Sequence, residues 1–146
     1  SAEGPLYRWQ ARLGARLLAE SQAADERRAH HARRLIRAVA RCAGWTVPAA
    51  AAIAAGPLRL PLLAPGRVAR DRTRARLLRM GVDASVMYPA TINRIPGIGP
   101  HLAGSATTGG AQQLVDRLLT LPTYPTLAGG DLRRIEDAFV SAAESS

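Results

Sequence analysis

One helical pattern occupies the first third of the chain. Between residues 5 and 43, apolar side chains recur three or four positions apart at both ends, the spacing of one helix face. Pro5 suits a first helical turn, and Gly44 suits a left-handed C-terminal cap. The pattern predicts one long helix, or two with a break. Its apolar positions are Leu6, Trp9, Leu13 and Leu17 at the first end, and Leu35, Ile36, Val39, Ala40 and Ala43 at the second.

Short apolar stretches in the rest of the chain predict a small sheet. Residues 58–63 form the clearest strand, and Pro61 favours an edge position because proline cannot donate a ladder hydrogen bond. Residues 83–88 and 118–121 predict two further strands, and residues 45–47 a shorter one. A loop or alanine-rich turn is expected over residues 49–56.

A second helix is expected between two of these strands. Asp71 is placed to cap its first turn, the helix runs to Met80, and Gly81 ends it. The side chains predicted to face inward are Ala75, Leu77 and Leu78.

The last helix is predicted over residues 131–143. Before it, the two prolines of residues 121–125 favour an extended course, and residues 128–131 (AGGD) lack a Ser or Thr to cap the first turn. The order of elements predicts an α+β fold, with helices on one face of a small sheet. We divide the chain into a linking helix or helix pair, 3–44, and a small α+β domain, 45–146. The apolar stripe of the last helix consists of Leu132, Ile135, Phe139 and Ala142.

The chain is strongly basic. Its net charge is +9, its pI is near 11.4, and all 20 basic residues are arginines. Clustered cations bind phosphate polymers, but the arginines of residues 67–79 are mostly two positions apart and therefore scatter around a helix. The distribution favours a solvated surface over a polyanion site, and we predict no specific nucleic-acid partner.

Other residue types limit the classes of site. A single cysteine, Cys42, excludes an internal disulfide, suits a reducing compartment and is predicted to be a buried, inert thiol. His30 and His31 lack Cys or Asp at ligand spacing, so surface histidines and no metal site are expected. No run approaches the ~18 apolar residues of a membrane span. A cytoplasmic protein without a membrane partner is predicted.

Four sequence segments carry a resemblance to a known family. They are residues 79–82 (RMGV), 87–89 (MYP), 119–127 (LTLPTYPTL) and 131–135 (DLRRI). In this order and spacing, they resemble the C-terminal end of the DegT/DnrJ/EryC1/StrS family of pyridoxal-phosphate-dependent sugar aminotransferases. The resemblance extends over residues 9–139.

The resemblance implies the small C-terminal domain of a fold-type I aminotransferase. The complete protein would be a homodimer that transfers an amino group to a keto-sugar, usually nucleotide-linked, with pyridoxal phosphate as cofactor. That cofactor is held as a Schiff base on a lysine, and arginine is not a nucleophile that can replace it. Since this chain contains no lysine, it is expected to hold no cofactor and no catalytic residue by itself. A large domain outside this sequence would be its partner, and the apolar start of the first helix would pack against it.

The resemblance also implies where the substrate side of the site lies. Tyr88 ends a strand that faces the active-site mouth in the family, and a histidine commonly follows a few residues later. In this sequence Asn93 stands near that place, beside Arg94. Asn93 can donate a hydrogen bond, and Arg94 can pair with a carboxylate or phosphate. The alternative for Tyr88 is a half-buried aromatic at a strand end.

Two other functions are open at this stage. A short standalone relative could act as a binding or scaffolding domain. More distantly, the segment Pro96-Gly97-Ile98-Gly99 imitates the hairpin of helix-hairpin-helix DNA-binding modules. Such a hairpin needs a helix on each side, whereas a predicted strand precedes it and the glycine-rich residues 101–110 follow. The pattern favours a plain loop.

Overall fold

The computed structural model describes residues 5–49, 51, 57–86 and 108–145. Its helices and a two-stranded antiparallel sheet confirm the predicted α+β class. None of the helices described in these ranges is long and apolar enough to cross a membrane. The elements are α1 (Pro5–Val39), β1 (Arg59–Leu63), α2 (Arg67–Arg79), α3 (Thr108–Arg117), β2 (Leu118–Pro122) and α4 (Gly129–Glu144).

The long first helix is confirmed as a single α-helix. It ends at Val39, so Ala40 and Ala43 lie in the following turn and are exposed, contrary to prediction. Gly44 has the predicted left-handed conformation, with φ +76°, but it follows the turn and is not the helix cap, because α1 ends five residues earlier. A Cβ at Gly44 would lie only 2.8 Å from Cγ of Pro65, so both the dihedral angle and the close contact require glycine.

The sheet is built on the pairing of β1 with β2, in which Leu62 lies opposite Leu119. Single antiparallel bridges extend it on both sides, from Leu63 to Thr46 and from Thr120 to Ser85. The strands predicted at residues 45–47 and 83–88 are therefore present as one bridge each; residues 87 and 88 lie outside the described ranges.

Pro61 is accommodated by the direction of its backbone. Leu63 exchanges both of its hydrogen bonds with Thr46, on the side away from β2. Since backbone groups alternate in direction along a strand, the amide that Pro61 lacks would also point away from β2. The proline thus removes no hydrogen bond from the β1–β2 pair, as expected for an edge position.

The core lies between the sheet and the helices, where α1 and α2 both pack against α4. The predicted apolar stripe of α4 is confirmed, with Ala138 added to it. The ring of Trp45 meets that of Phe139 edge to face, with centroids 5.0 Å apart. Cys42 is also buried as predicted, and burial raises the pKa of its thiol.

The predicted start of α2 is wrong. The helix begins at Arg67, directly after a turn, and no side chain caps it. Asp71 lies inside the helix, where its carboxylate accepts a hydrogen bond of 2.9 Å from Arg70 Nε. Gly81 does end the helix as predicted, with φ +77°.

The predicted inward face of α2 is also largely wrong. Leu77 is buried, but Leu78 is 44 % exposed and Ala75 is exposed too. The buried face instead consists of Arg70, Thr73 and Leu77. An arginine can be only 8 % exposed here because its Nη1 donates to the carbonyl of Val115, on α3, at 2.8 Å.

α3 was not predicted, because its glycine-rich start shows little apolar periodicity. It leads without a loop into β2, since Arg117 ends the helix and Leu118 begins the strand. At the start of α4, Ala128 occupies the cap position and makes no side-chain hydrogen bond, which confirms the predicted loss of the cap.

His31 is not a surface histidine. Its side chain is buried, 6 % exposed, and its Nδ1 lies 3.0 Å from the carbonyl oxygen of Tyr124. This contact ties α1 to the segment between β2 and α4. Residues 93 positions apart form it, so no local pattern could have indicated it.

Candidate functional site

The site residues predicted from the sequence lie just beyond the described chain. Tyr88, Asn93 and Arg94 fall in residues 87–107, outside the described ranges, and so does the glycine hairpin at 96–99. The structure does describe the segment that leads into them. Ser85 pairs with Thr120 of β2 through two hydrogen bonds of 3.1 and 2.9 Å.

A polar cluster centred on Arg59 holds that segment against the sheet. Arg59 Nε donates to Thr120 Oγ1 at 2.8 Å, and its Nη1 donates to Asp83 Oδ2 at 2.8 Å and to the hydroxyl of Tyr124 at 3.0 Å. Its Nη2 donates to the carbonyl oxygens of Asp83 at 2.6 Å and Thr120 at 3.2 Å. One guanidinium therefore joins β1, β2 and the segment that begins at Asp83.

The positive charge of Arg59 in this cluster is paired with the negative charge of Asp83. The hydrogen bond from Arg59 lowers the pKa of the Asp83 carboxyl, and the Tyr124 hydroxyl, which donates to the same oxygen at 3.2 Å, acts in the same direction. The Asp83 side chain is 63 % exposed, so water screens much of the attraction. The cluster positions the backbone, and its arginine has no donor group left for a ligand.

A cleft opens beside the cluster. It has a volume of about 210 Å³, and its floor is formed by apolar side chains that include Val82 and Ile135. Asp83 and Tyr124 form one part of its rim, and Asp131 and Arg134 of α4 form another. Polar groups around an apolar floor can hold a small polar molecule. Across the described ranges, no three His, Cys, Asp or Glu side chains are grouped to hold a metal ion.

The sequence analysis missed the Arg59 cluster. The available signal was a single charge in an otherwise apolar strand, since a partly buried guanidinium needs acceptors nearby. Those acceptors lie 24 to 65 positions away along the chain. Their identity therefore depends on the folded sheet.

We expect the Asp83–Arg59 pair to make stability depend on pH. A carboxyl whose pKa is lower in the folded state stabilises the fold above its unfolded pKa of about 3.9 and loses that contribution as pH falls through the folded value. Asp83→Asn should therefore lower the free energy of unfolding at pH 7 by about 0.2–1 kcal/mol, and the difference from wild type should shrink below about pH 4. Urea titrations between pH 7 and pH 2.5 measure this.

The control is Asp137→Asn, at an exposed position of α4, which should follow wild type throughout. A difference between Asp83→Asn and wild type that stays constant with pH would contradict the assignment.

The comparison with known families gives the classification. The family model described as the DegT/DnrJ/EryC1/StrS aminotransferase family matches residues 4–140. The match covers nearly the whole chain. This chain belongs to the DegT/DnrJ/EryC1/StrS aminotransferase family. The resemblance drawn from four short segments is thereby confirmed, while no curated protein sequence has a significant match to the chain.

Two solved aminotransferase structures share the fold of this family member. The aminotransferase TlmJ from Streptoalloteichus hindustanus is 18 % identical, with a TM-score of 0.65 over 90 % of this chain and 35 % of its own. DesV from S. venezuelae, solved in complex with a ketimine intermediate, is 22 % identical, with a TM-score of 0.62 over 87 % of this chain and 34 % of its own. The chain thus spans about a third of the length of each structure.

Proposed function

We propose that this chain is the C-terminal domain of a pyridoxal-phosphate-dependent aminotransferase that acts on a keto-sugar, usually nucleotide-linked. The observation that carries the proposal is a family match over residues 4–140 in a chain that spans only about 35 % of a similar aminotransferase. The large domain would lie outside this sequence. The complete protein would transfer an amino group from an amino acid such as glutamate to the sugar.

The residues of this chain do not fit the cofactor by themselves. Pyridoxal phosphate needs a lysine amine for its covalent attachment, and all 20 basic residues are arginines. The amine, and with it the cofactor site, would belong to the large domain. This chain alone would therefore transfer no amino group.

Exposed apolar side chains in the first half of α1 support the proposal that a partner domain covers this helix in the complete protein. Trp9 is 62 % exposed, and Leu13 and Leu17 of the predicted stripe are exposed as well; the side chain of Leu6 lies outside the described residues. Burial of each such side chain contributes roughly 1.5–3 kcal/mol. Exposed apolar patches of this kind mark contact surfaces. We assign this stripe to the large domain, and the division at residues 44 and 45 is part of the proposal.

The chain would contribute the lid side of the complete active site. Tyr88, Asn93 and Arg94 are the proposed substrate-side residues, and the Arg59 cluster would position the strand that leads to them. The complete protein would be a homodimer. It would be cytoplasmic, since the single cysteine suits a reducing compartment.

The cofactor test compares this chain with the same chain joined to the polypeptide encoded upstream of it. We expect the chain alone, incubated with pyridoxal phosphate and dialysed, to keep no stoichiometric absorbance band of an amine-bound cofactor. The joined protein should keep that band and transfer amino groups from glutamate to a nucleotide-linked keto-sugar. A dialysis-resistant band in the chain alone would overturn the proposal. So would an upstream frame that encodes no lysine-bearing domain, which would leave a standalone binding or scaffolding domain.

A further inference from the structure

A cluster of three arginines borders a cleft between the end of α1 and α4. Arg34 and Arg37 are three positions apart on α1, and Arg41 follows in the turn after Val39. With Glu136 of α4 they line a cleft of about 290 Å³.

Only one of these guanidinium groups is neutralised. Glu136 accepts two hydrogen bonds from Arg34, at 2.9 Å from Nε and 2.6 Å from Nη2, and both side chains are largely buried. Within the described ranges, the side chains of Arg37 and Arg41 have no hydrogen-bond or ion-pair partner, and both residues are exposed. The cleft therefore presents two unpaired positive charges beside a fixed, neutral pair.

We propose that this cleft binds the phosphate groups of a small phosphorylated ligand through Arg37 and Arg41. Guanidinium groups donate paired hydrogen bonds that match the geometry of phosphate oxygens. Both guanidinium groups line the same cleft, so the two arginines can each hold one phosphate of a diphosphate. The Arg34–Glu136 pair lines the cleft, and the hydrogen bonds from Arg34 keep the Glu136 carboxylate from repelling the ligand.

The surroundings favour a small ligand over a nucleic-acid strand. The cleft of about 290 Å³ presents the two guanidinium groups of Arg37 and Arg41. A polymer needs a continuous row of cations, whereas a diphosphate needs only the two that are present. This inference does not depend on the proposed aminotransferase function.

Isothermal titration of the full 146-residue chain with inorganic pyrophosphate tests the proposal. We expect one site per chain, weakened as salt is raised, and at least a tenfold loss of affinity in Arg37→Gln/Arg41→Gln. The matched control is Arg8→Gln/Arg12→Gln, which removes two charges at the same four-residue spacing from the exposed start of α1. The control should bind pyrophosphate within twofold of wild type, and circular dichroism should show both variants folded.

Three outcomes would overturn the proposal. An equal loss in both variants would mean that net charge alone attracts the anion. No loss in Arg37→Gln/Arg41→Gln would place any binding elsewhere. Duplex DNA that competes with pyrophosphate at physiological salt, and depends on the same two arginines, would make the cleft part of a nucleic-acid surface.

Discussion

Phe139→Ala should destabilise the chain by about 3–5 kcal/mol, the usual range for a buried aromatic replaced by alanine. The Phe139 ring is fully buried on α4, and its edge-to-face contact with Trp45, at a centroid distance of 5.0 Å, would be lost with it. Because domains are stable by only about 5–15 kcal/mol, such a loss would remove a large share of the stability of the chain. Urea denaturation followed by far-ultraviolet circular dichroism measures the change.

The control for this variant is another aromatic residue outside the core. Tyr7 lies on the first half of α1 and is 57 % exposed, so Tyr7→Ala should change the free energy of unfolding by no more than about 0.5 kcal/mol. A similar loss in both variants would show that the Trp45–Phe139 contact does not lie at the centre of the core.

Leu77→Ala and Leu78→Ala should differ widely although the residues are adjacent. Leu77 is fully buried and Leu78 is 44 % exposed, and both lie in α2, so the change in helix propensity is the same. Leu77→Ala should cost about 2–5 kcal/mol, and Leu78→Ala less than about 1 kcal/mol. Urea denaturation of the two variants under identical conditions gives the comparison. Equal effects, or a larger effect at Leu78, would restore the inward face that the sequence predicted.

The error at Leu78 has a physical cause. The sequence places leucines at 77 and 78, and the pattern does not distinguish which of them faces the core. In the fold the buried face continues through Thr73 to Arg70, whose burial is possible because the carbonyl of Val115 accepts its hydrogen bond. Charged residues are seldom buried, so a sequence pattern assigns Arg70 to the exposed side of α2. For this reason the buried face could not be recognised from the sequence.

At the candidate site, too, features carried by adjacent residues could be predicted from the sequence, whereas contacts between distant residues could not. The family resemblance rested on short segments whose residues are adjacent in sequence, and the match over residues 4–140 confirms it. By contrast, the Arg59 cluster joins residues that are 24 to 65 positions apart, and the Arg34–Glu136 pair spans 102 positions. Hydrogen bonds between such distant groups leave no periodic signal in the chain.

The sequence alone determined the features that depend on neighbouring residues. Helical periodicity was enough for α1 and for the apolar stripe of α4, and the positive φ of Gly81 follows from the preference for a residue without a Cβ at the end of a helix. Tertiary structure alone decided which face of α2 is buried and that His31 is enclosed beneath the Tyr124 carbonyl. It also decided that Arg37 and Arg41 border one cleft with Glu136. The reason is that dihedral preference and periodicity act over a few residues, whereas the burial of a polar group depends on a partner that only the folded chain brings near.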